Sequence, residues 1–163
     1  DALPIYLAFN LFRLSAILQG IGQREREGTA SNTTAKDIAE IEDAFAGMNK
    51  AVHEGGDYVT FDLRFHQGLL RASHNRMLIQ MSKALGALLR TSFEISTSKQ
   101  DGPKSSLSMH REVLDAVIAQ QPDRAEKAIL KLIDGARDDI QHVLGTRKRL
   151  PKITRPAAQL KAA

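Results

Sequence analysis

The chain has 163 residues, of which 42% are hydrophobic and 26% charged, a balance that predicts one globular domain and excludes a disordered or fibrous chain. It contains no cysteine, which excludes disulfides, thiolate metal ligands and thiol nucleophiles. The net charge is +4, but residues 145–163 hold six basic residues and no acid, and subtracting these six charges leaves −2 for residues 1–144.

The basic tail, residues 145–163, is rich in alanine and contains two prolines. This composition is typical of a flexible, solvated end, and binding to nucleic acid is the alternative role. No apolar run approaches the roughly 18 residues that cross a bilayer, and the first residues lack the basic region of a signal peptide. We therefore expect a cytoplasmic protein.

Apolar residues recur at helical spacing along almost the whole chain, and no stretch alternates long enough to predict a strand. Asp57 and Asn75 are candidate N-caps, and residues 96–106 have the composition of a loop. The predicted helices cover residues 5–28, 38–52, 58–73, 75–96, 106–120 and 122–140. Amphipathic helices with short connections predict an all-α fold, an antiparallel bundle of about six helices.

The third predicted helix carries an acid and a histidine four positions apart, Asp62 and His66. Residues at i and i+4 lie on one face of a helix, and here that face is otherwise apolar. His110 lies on the apolar stripe of the fifth predicted helix, between Leu107 and Leu114. One inward carboxylate and two inward imidazoles suit zinc, nickel, manganese or iron. The alternative is a local acid–histidine pair that binds no ligand.

Two segments resemble the motifs of one protein family. DLRFHQGLLRASHNRML, residues 62–78, resembles the signature of the FCD family, the all-helical effector domain of GntR-type bacterial transcription regulators of the FadR subgroup. HREVLDAVIAQQPDRAEKAI, residues 110–129, resembles the family's later motif, although Gln121 and Pro122 occupy a turn where the family usually has Gly-Asp. The resemblance covers about residues 35–144, which we predict to be an effector-binding helical bundle between an N-terminal helix and loop, residues 1–34, and the basic tail.

The resemblance implies a metal site. In metal-binding members the acid and the two histidines of these motifs are ligands, which implies the ligand set Asp62, His66 and His110. The family's fourth ligand is a histidine on the last helix, but this position is Leu132, which cannot coordinate a metal. Asp134 lies two positions away and so on a different face, and His142 lies three turns further along that helix. Two states stay open: a three-ligand site for zinc, nickel or manganese, completed by water or an acidic effector, and a domain without metal.

Three arginines are candidate effector contacts. In many FCD regulators an arginine of the first helix binds the effector carboxylate, and Arg13 is the arginine in the middle of the first predicted helix. Arg64 and Arg71 would contact an acidic effector if they turned inward. For all three, a position on the solvated surface is the alternative.

The N-terminal segment YLAFNLFRLSAILQGIGQREREGTAS, residues 6–31, resembles the C-terminal helix of aminoglycoside-phosphotransferase-like kinases. Such kinases need an HGDxxxxN catalytic loop and a later metal-binding aspartate, and this sequence contains neither. It also lacks a glycine-rich phosphate loop. We therefore expect no kinase activity.

The sequence thus predicts the effector-sensing domain of a GntR/FadR-type transcription regulator. We expect it to bind a small organic acid, for example a sugar acid, to form a homodimer and to lack enzymatic activity. DNA would be bound by a winged-helix module, and no recognition-helix pattern precedes residue 35. The alternatives are a metal-dependent hydrolase or isomerase, for which no general base is evident once the three candidate ligands are used, and a structural helical dimerisation domain.

Overall fold

The computed structural model describes residues 35–84, 86–99 and 101–144, which form six helices and no strand. The helices are α1 (Ala35–Glu54), α2 (Tyr58–Ala72), α3 (Arg76–Ala84), α4 (Gly86–Thr97), α5 (Gly102–Ile118) and α6 (Pro122–Leu144). The predicted all-α bundle is therefore confirmed for this part of the chain. The first predicted helix, residues 5–28, and the basic tail lie outside the described residues, and the predicted domain boundaries stay a prediction.

Two predicted N-caps are present in the structure. The Asp57 carboxylate accepts a hydrogen bond of 3.0 Å from the Thr60 amide at the start of α2. The Asn75 side chain accepts hydrogen bonds of 3.1 and 3.3 Å from the amides of Met77 and Leu78 at the start of α3. The Thr60 hydroxyl and then the Thr60 amide lower the pKa of Asp57, because both donate to its charged form. These caps bind amides that have no partner within their own helix.

The helix predicted over residues 75–96 is described over Arg76–Ala84 and Gly86–Thr97, and residue 85 lies outside the described residues. One predicted boundary is wrong. The loop predicted over residues 96–106 is shorter, because α5 already begins at Gly102. Pro103 lies in its first turn, where the N–H group that proline lacks would have no helical partner. Asp101 enters this turn with a φ of 61°.

The helices pack in antiparallel pairs around the bundle. Arg64 of α2 forms an ion pair of 3.0 Å with Asp43 of α1, and Lys131 of α6 forms one of 2.6 Å with Glu112 of α5. The α1 helix packs against both α2 and α5, while α4 packs against both α2 and α6. By contrast, α2 and α5 make little direct backbone contact with each other. Side chains therefore fill the space between these two helices.

The main hydrophobic core lies between α1, α2, α5 and α6. Its largest fully buried apolar side chains are Phe65, Ile41, Met48, Ile129 and Val113. A smaller cluster joins Leu89 and Phe93 of α4 to Val59 and Leu63 of α2. None of the helices in the described part of the chain is long and apolar enough to span a membrane.

Gly47 allows α1 to approach α2, and its replacement tests this interface. A Cβ atom at Gly47 would overlap the ring of Phe61, so we expect Gly47→Ala to lower the free energy of unfolding by about 1–3 kcal/mol through overpacking. Gly86→Ala is the matched control, because a Cβ atom there meets nothing within 4 Å and alanine favours a helix by up to about 1 kcal/mol. Urea denaturation measures both variants. Unchanged stability of Gly47→Ala would show that Phe61 moves aside without cost.

Candidate metal centre

Three polar side chains converge in the space between α2 and α5. Asp62 and His66 lie one turn apart on α2, and His110 lies on α5. All three are buried, with 3%, 4% and 1% of their surfaces exposed. The structure thus brings together the three residues that the sequence indicated as ligands.

The three converging atoms are Asp62 Oδ1, His66 Nε2 and His110 Nε2. The carboxylate oxygen lies 3.1 Å from each nitrogen, and the two nitrogens are 3.2 Å apart. Two atoms that bind one ion at about 2.1 Å and subtend about 90–109° lie about 3.0–3.4 Å from each other. The observed separations therefore fit three ligands of one divalent ion.

The backbone of α5 accepts a hydrogen bond from one ring nitrogen of His110, and the other ring nitrogen faces the cluster. His110 Nδ1 lies 2.8 Å from the backbone oxygen of Ser106, one turn earlier on the same helix. A carbonyl oxygen only accepts hydrogen bonds, so Nδ1 carries a hydrogen, and in the neutral ring Nε2 then carries the lone pair. A second hydrogen bond from the distal ring nitrogen is the usual support of a metal-binding histidine. The neutral imidazole of His110 is thus oriented as a metal ligand requires.

Aromatic rings enclose the cluster. The Phe65 ring meets both imidazoles nearly edge-on, with centroid distances of 5.6 Å to His66 and 5.1 Å to His110. The Phe93 ring of α4 lies 5.2 Å from the ring of His66. Because these rings restrict access of water, the Asp62 carboxylate lies in a medium where an uncompensated charge is costly. A bound cation would offset that cost.

His66 Nδ1 is buried and has no hydrogen-bond partner among the described residues. Tyr58 precedes Asp62 by one turn of α2. Burial raises the pKa of Tyr58 and the Asp62 carboxylate raises it further, while a hydrogen bond with the Ser106 side chain lowers it. The phenol is therefore a neutral hydrogen-bond donor at physiological pH. Our sequence analysis missed Tyr58, although its spacing of four residues from Asp62 was an available signal.

The structure does not bring the candidate arginines of α2 to the cluster. Arg64 and Arg71 are exposed, and their guanidinium groups lie 3.0 Å from Asp43 and Glu40 of α1. The reason is helical geometry, since Arg64 is rotated by about 200° from Asp62 around the helix axis. Arg13 lies outside the described residues. The role of all three arginines as effector contacts stays a prediction.

The α6 helix does not complete the ligand set. Leu132 is buried in the main hydrophobic core with 4% of its surface exposed. Asp134 instead forms an ion pair of 2.6 Å with Arg137, and His142 is exposed. Among the residues that the structure describes, a single group of three or more acids and histidines has the geometry to hold a metal ion. It consists of Asp62, His66 and His110.

Comparison with known proteins agrees with the two motifs. The model of the FCD domain family matches residues 27–135. The chain belongs to the FCD domain family. Over 108 residues it is 32% identical to the galactonate operon transcriptional repressor of Escherichia coli (strain K12), an alignment that covers 64% of this chain and 46% of the relative. The chain therefore spans about half the length of this curated relative, and the predicted FCD resemblance is confirmed.

The tautomer of His110 can be measured directly. We expect the metal-free FCD domain at neutral pH to carry the His110 hydrogen on Nδ1, because the Ser106 carbonyl accepts it. Long-range ¹H–¹⁵N correlation spectra of the imidazole nitrogens distinguish the two tautomers. The exposed His142 is the internal control, with a ring that exchanges with solvent. A spectrum with the hydrogen of His110 on Nε2 would contradict the assignment of a lone pair to the cluster.

Proposed function

We propose that this FCD domain is the effector-sensing part of a GntR-type transcription regulator, and that it binds a small organic acid through a divalent metal ion held by Asp62, His66 and His110. The convergence of one carboxylate oxygen and two imidazole nitrogens within 3.2 Å of one another carries the proposal. The relative named above represses a galactonate operon. Sugar acids such as galactonate are therefore the first effectors to test.

The donor set suits zinc, nickel or manganese. When bound, such an ion supplies positive charge that compensates Asp62 and Lewis acidity that attracts a carboxylate. The chain contributes three ligands, because Leu132 is apolar and neither Asp134 nor His142 reaches the cluster. The carboxylate and a hydroxyl of the acid, or water in its place, then complete the coordination.

The position of the cluster links binding to the arrangement of the helices. Asp62 and His66 belong to α2 and His110 to α5, and these helices make little direct backbone contact. A ligand held by all three side chains favours the arrangement in which α2 and α5 stay together. Its differential affinity for that arrangement shifts the population of conformations. In the whole regulator, a DNA-binding module and a homodimer interface would respond to this shift.

The metal part of the proposal predicts a stability change. After removal of metal with a chelator, zinc, nickel or manganese at about 100 times its Kd should raise the free energy of unfolding by about 2.7 kcal/mol, a midpoint increase of roughly 5–10 °C. Asp62→Asn and His110→Gln should lose most of this increase, because each removes one ligand. Differential scanning fluorimetry and elemental analysis measure the effect.

The matched controls are Asp43→Asn and His142→Ala, which alter an exposed acid and an exposed histidine. They should respond to metal like the wild type. A folded wild-type domain that responds to none of the three metals would contradict the metal site.

The acid part predicts that galactonate stabilises the metal-loaded domain further and does so weakly or not at all after chelation, because the carboxylate binds through the ion. The same melting experiment, run with a panel of organic acids, measures this dependence. Turnover of an acid would instead support a metal-dependent hydrolase or isomerase. No response to metal or to any acid would support a structural dimerisation domain.

A further inference from the structure

His66 and His110 differ in what surrounds the ring nitrogen that lies away from the other ligand atoms. His110 Nδ1 lies 2.8 Å from the backbone oxygen of Ser106. His66 Nδ1 is buried and has no hydrogen-bond partner among the described residues. The rings of Phe65 and Phe93, whose centroids lie 5.6 and 5.2 Å from that of His66, carry no oxygen or nitrogen. The backbone therefore presets the tautomer of His110 but not that of His66.

The other ring nitrogen of His66 has two acceptors within reach. His66 Nε2 lies 3.1 Å from Asp62 Oδ1 and 3.2 Å from His110 Nε2. In the neutral ring of His110, Nε2 carries a lone pair because the hydrogen lies on Nδ1. A hydrogen on His66 Nε2 therefore meets a carboxylate oxygen and an imidazole lone pair, which is the arrangement of a three-centre hydrogen bond.

These contacts decide the tautomer of His66 in the metal-free domain. A neutral imidazole carries one hydrogen, on Nδ1 or on Nε2. On His66 Nδ1 it would be a buried donor without an acceptor, and three atoms with lone pairs would then face one another at 3.1–3.2 Å. On Nε2 the hydrogen is donated to both neighbours. The geometry therefore favours Nε2–H, and a hydrogen bond from His66 to His110 joins α2 to α5 in the absence of metal.

Metal coordination requires the opposite tautomer of His66. An imidazole nitrogen coordinates through its lone pair, and so without a hydrogen. His110 Nε2 meets this condition already. His66 coordinates through Nε2 only after the hydrogen has left that nitrogen.

We propose that His66 is a tautomer switch, whose hydrogen bridges the cluster from Nε2 in the metal-free domain and lies on Nδ1 when a metal is bound. The inference rests on the metal part of the proposed function. One hydrogen leaves Nε2 and one binds Nδ1, both by exchange with water, so the ring stays neutral and releases no net proton. Coordination thus replaces one link between α2 and α5, the hydrogen bond from His66 to His110, by another.

The switch makes the two histidines unequal ligands. A metal-binding histidine usually donates a hydrogen bond from its second ring nitrogen, and loss of that partner costs about 10–100-fold in metal affinity. His110 has this partner in the Ser106 carbonyl. His66 Nδ1 has none among the described residues, and the hydrogen bond that His66 gives up opposes its coordination. We therefore expect His66 to contribute less to the affinity than His110.

Nuclear magnetic resonance of the ¹⁵N-labelled domain tests the inference, with zinc as a diamagnetic probe. Long-range ¹H–¹⁵N spectra of the chelator-treated domain at neutral pH should show the hydrogen of His66 on Nε2 and that of His110 on Nδ1. After saturation with zinc, the hydrogen of His66 should lie on Nδ1 and that of His110 should stay in place. His53 is the internal control, because its Nδ1 lies 2.8 Å from the Asn49 carbonyl oxygen but its ring is exposed and outside the cluster. Its tautomer should not change.

A metal-free His66 with its hydrogen on Nδ1, or with hydrogens on both nitrogens, would overturn the switch. A zinc-loaded domain in which His66 keeps its hydrogen on Nε2 would also overturn it. These results leave metal binding, and so the proposed function, intact. A folded wild-type domain that binds no zinc would instead overturn the proposed function, and the switch with it.

The zinc affinities of two variants provide a second readout. His110→Gln should weaken zinc binding at least about 10-fold more than His66→Gln, because only His110 has the supporting carbonyl. Competition with a chromophoric chelator measures both affinities, and urea denaturation of the metal-free variants shows that each is folded. Equal losses, or a larger loss in His66→Gln, would overturn the inference. The spectra of the wild type decide the question if either variant fails to fold.

Discussion

The described structure depends on one contact, in which the Asp62 carboxylate and the imidazoles of His66 and His110 meet between α2 and α5. These two helices make little direct backbone contact, and α1 packs against both of them. The cluster is therefore a polar bridge between two helices, at a buried position where apolar side chains would stabilise a helical bundle more. A buried carboxylate is costly when it is uncompensated, and a cation bound between α2 and α5 would offset that cost.

The rest of the bundle keeps this bridge in place and restricts access of water. Phe65 and Phe93 pack against the imidazole rings, and the Ser106 carbonyl holds His110 in one tautomer. At the surface, ion pairs from Arg64 and Arg71 join α2 to α1. The three candidate ligand atoms therefore already lie close together in the folded chain, and such preorganisation lowers the entropic cost of binding.

Much of the fold follows from the periodicity of apolar residues. The apolar stripe and the Asp57 and Asn75 caps predicted α2 and the start of α3, and the pairing of Asp62 with His66 followed from their i, i+4 spacing. The early start of α5 was missed, because residue types that are typical of loops occupy its first turn. Arg64 and Arg71 pair with Asp43 and Glu40 of α1, and no local pattern reveals these partners.

The sequence by itself determined the helical class, the family and the residue types of the candidate site, because side-chain periodicity and motifs are properties of the chain. Only the tertiary structure decided that His110, 44 residues after His66, lies 3.2 Å from it, and that Arg64 and Arg71 pair with α1. It also decided that His66 Nδ1 is buried without a hydrogen bond to a described residue. The physical reason is that helix packing sets distances between remote side chains, whereas local spacing determines only which face of a helix each side chain occupies.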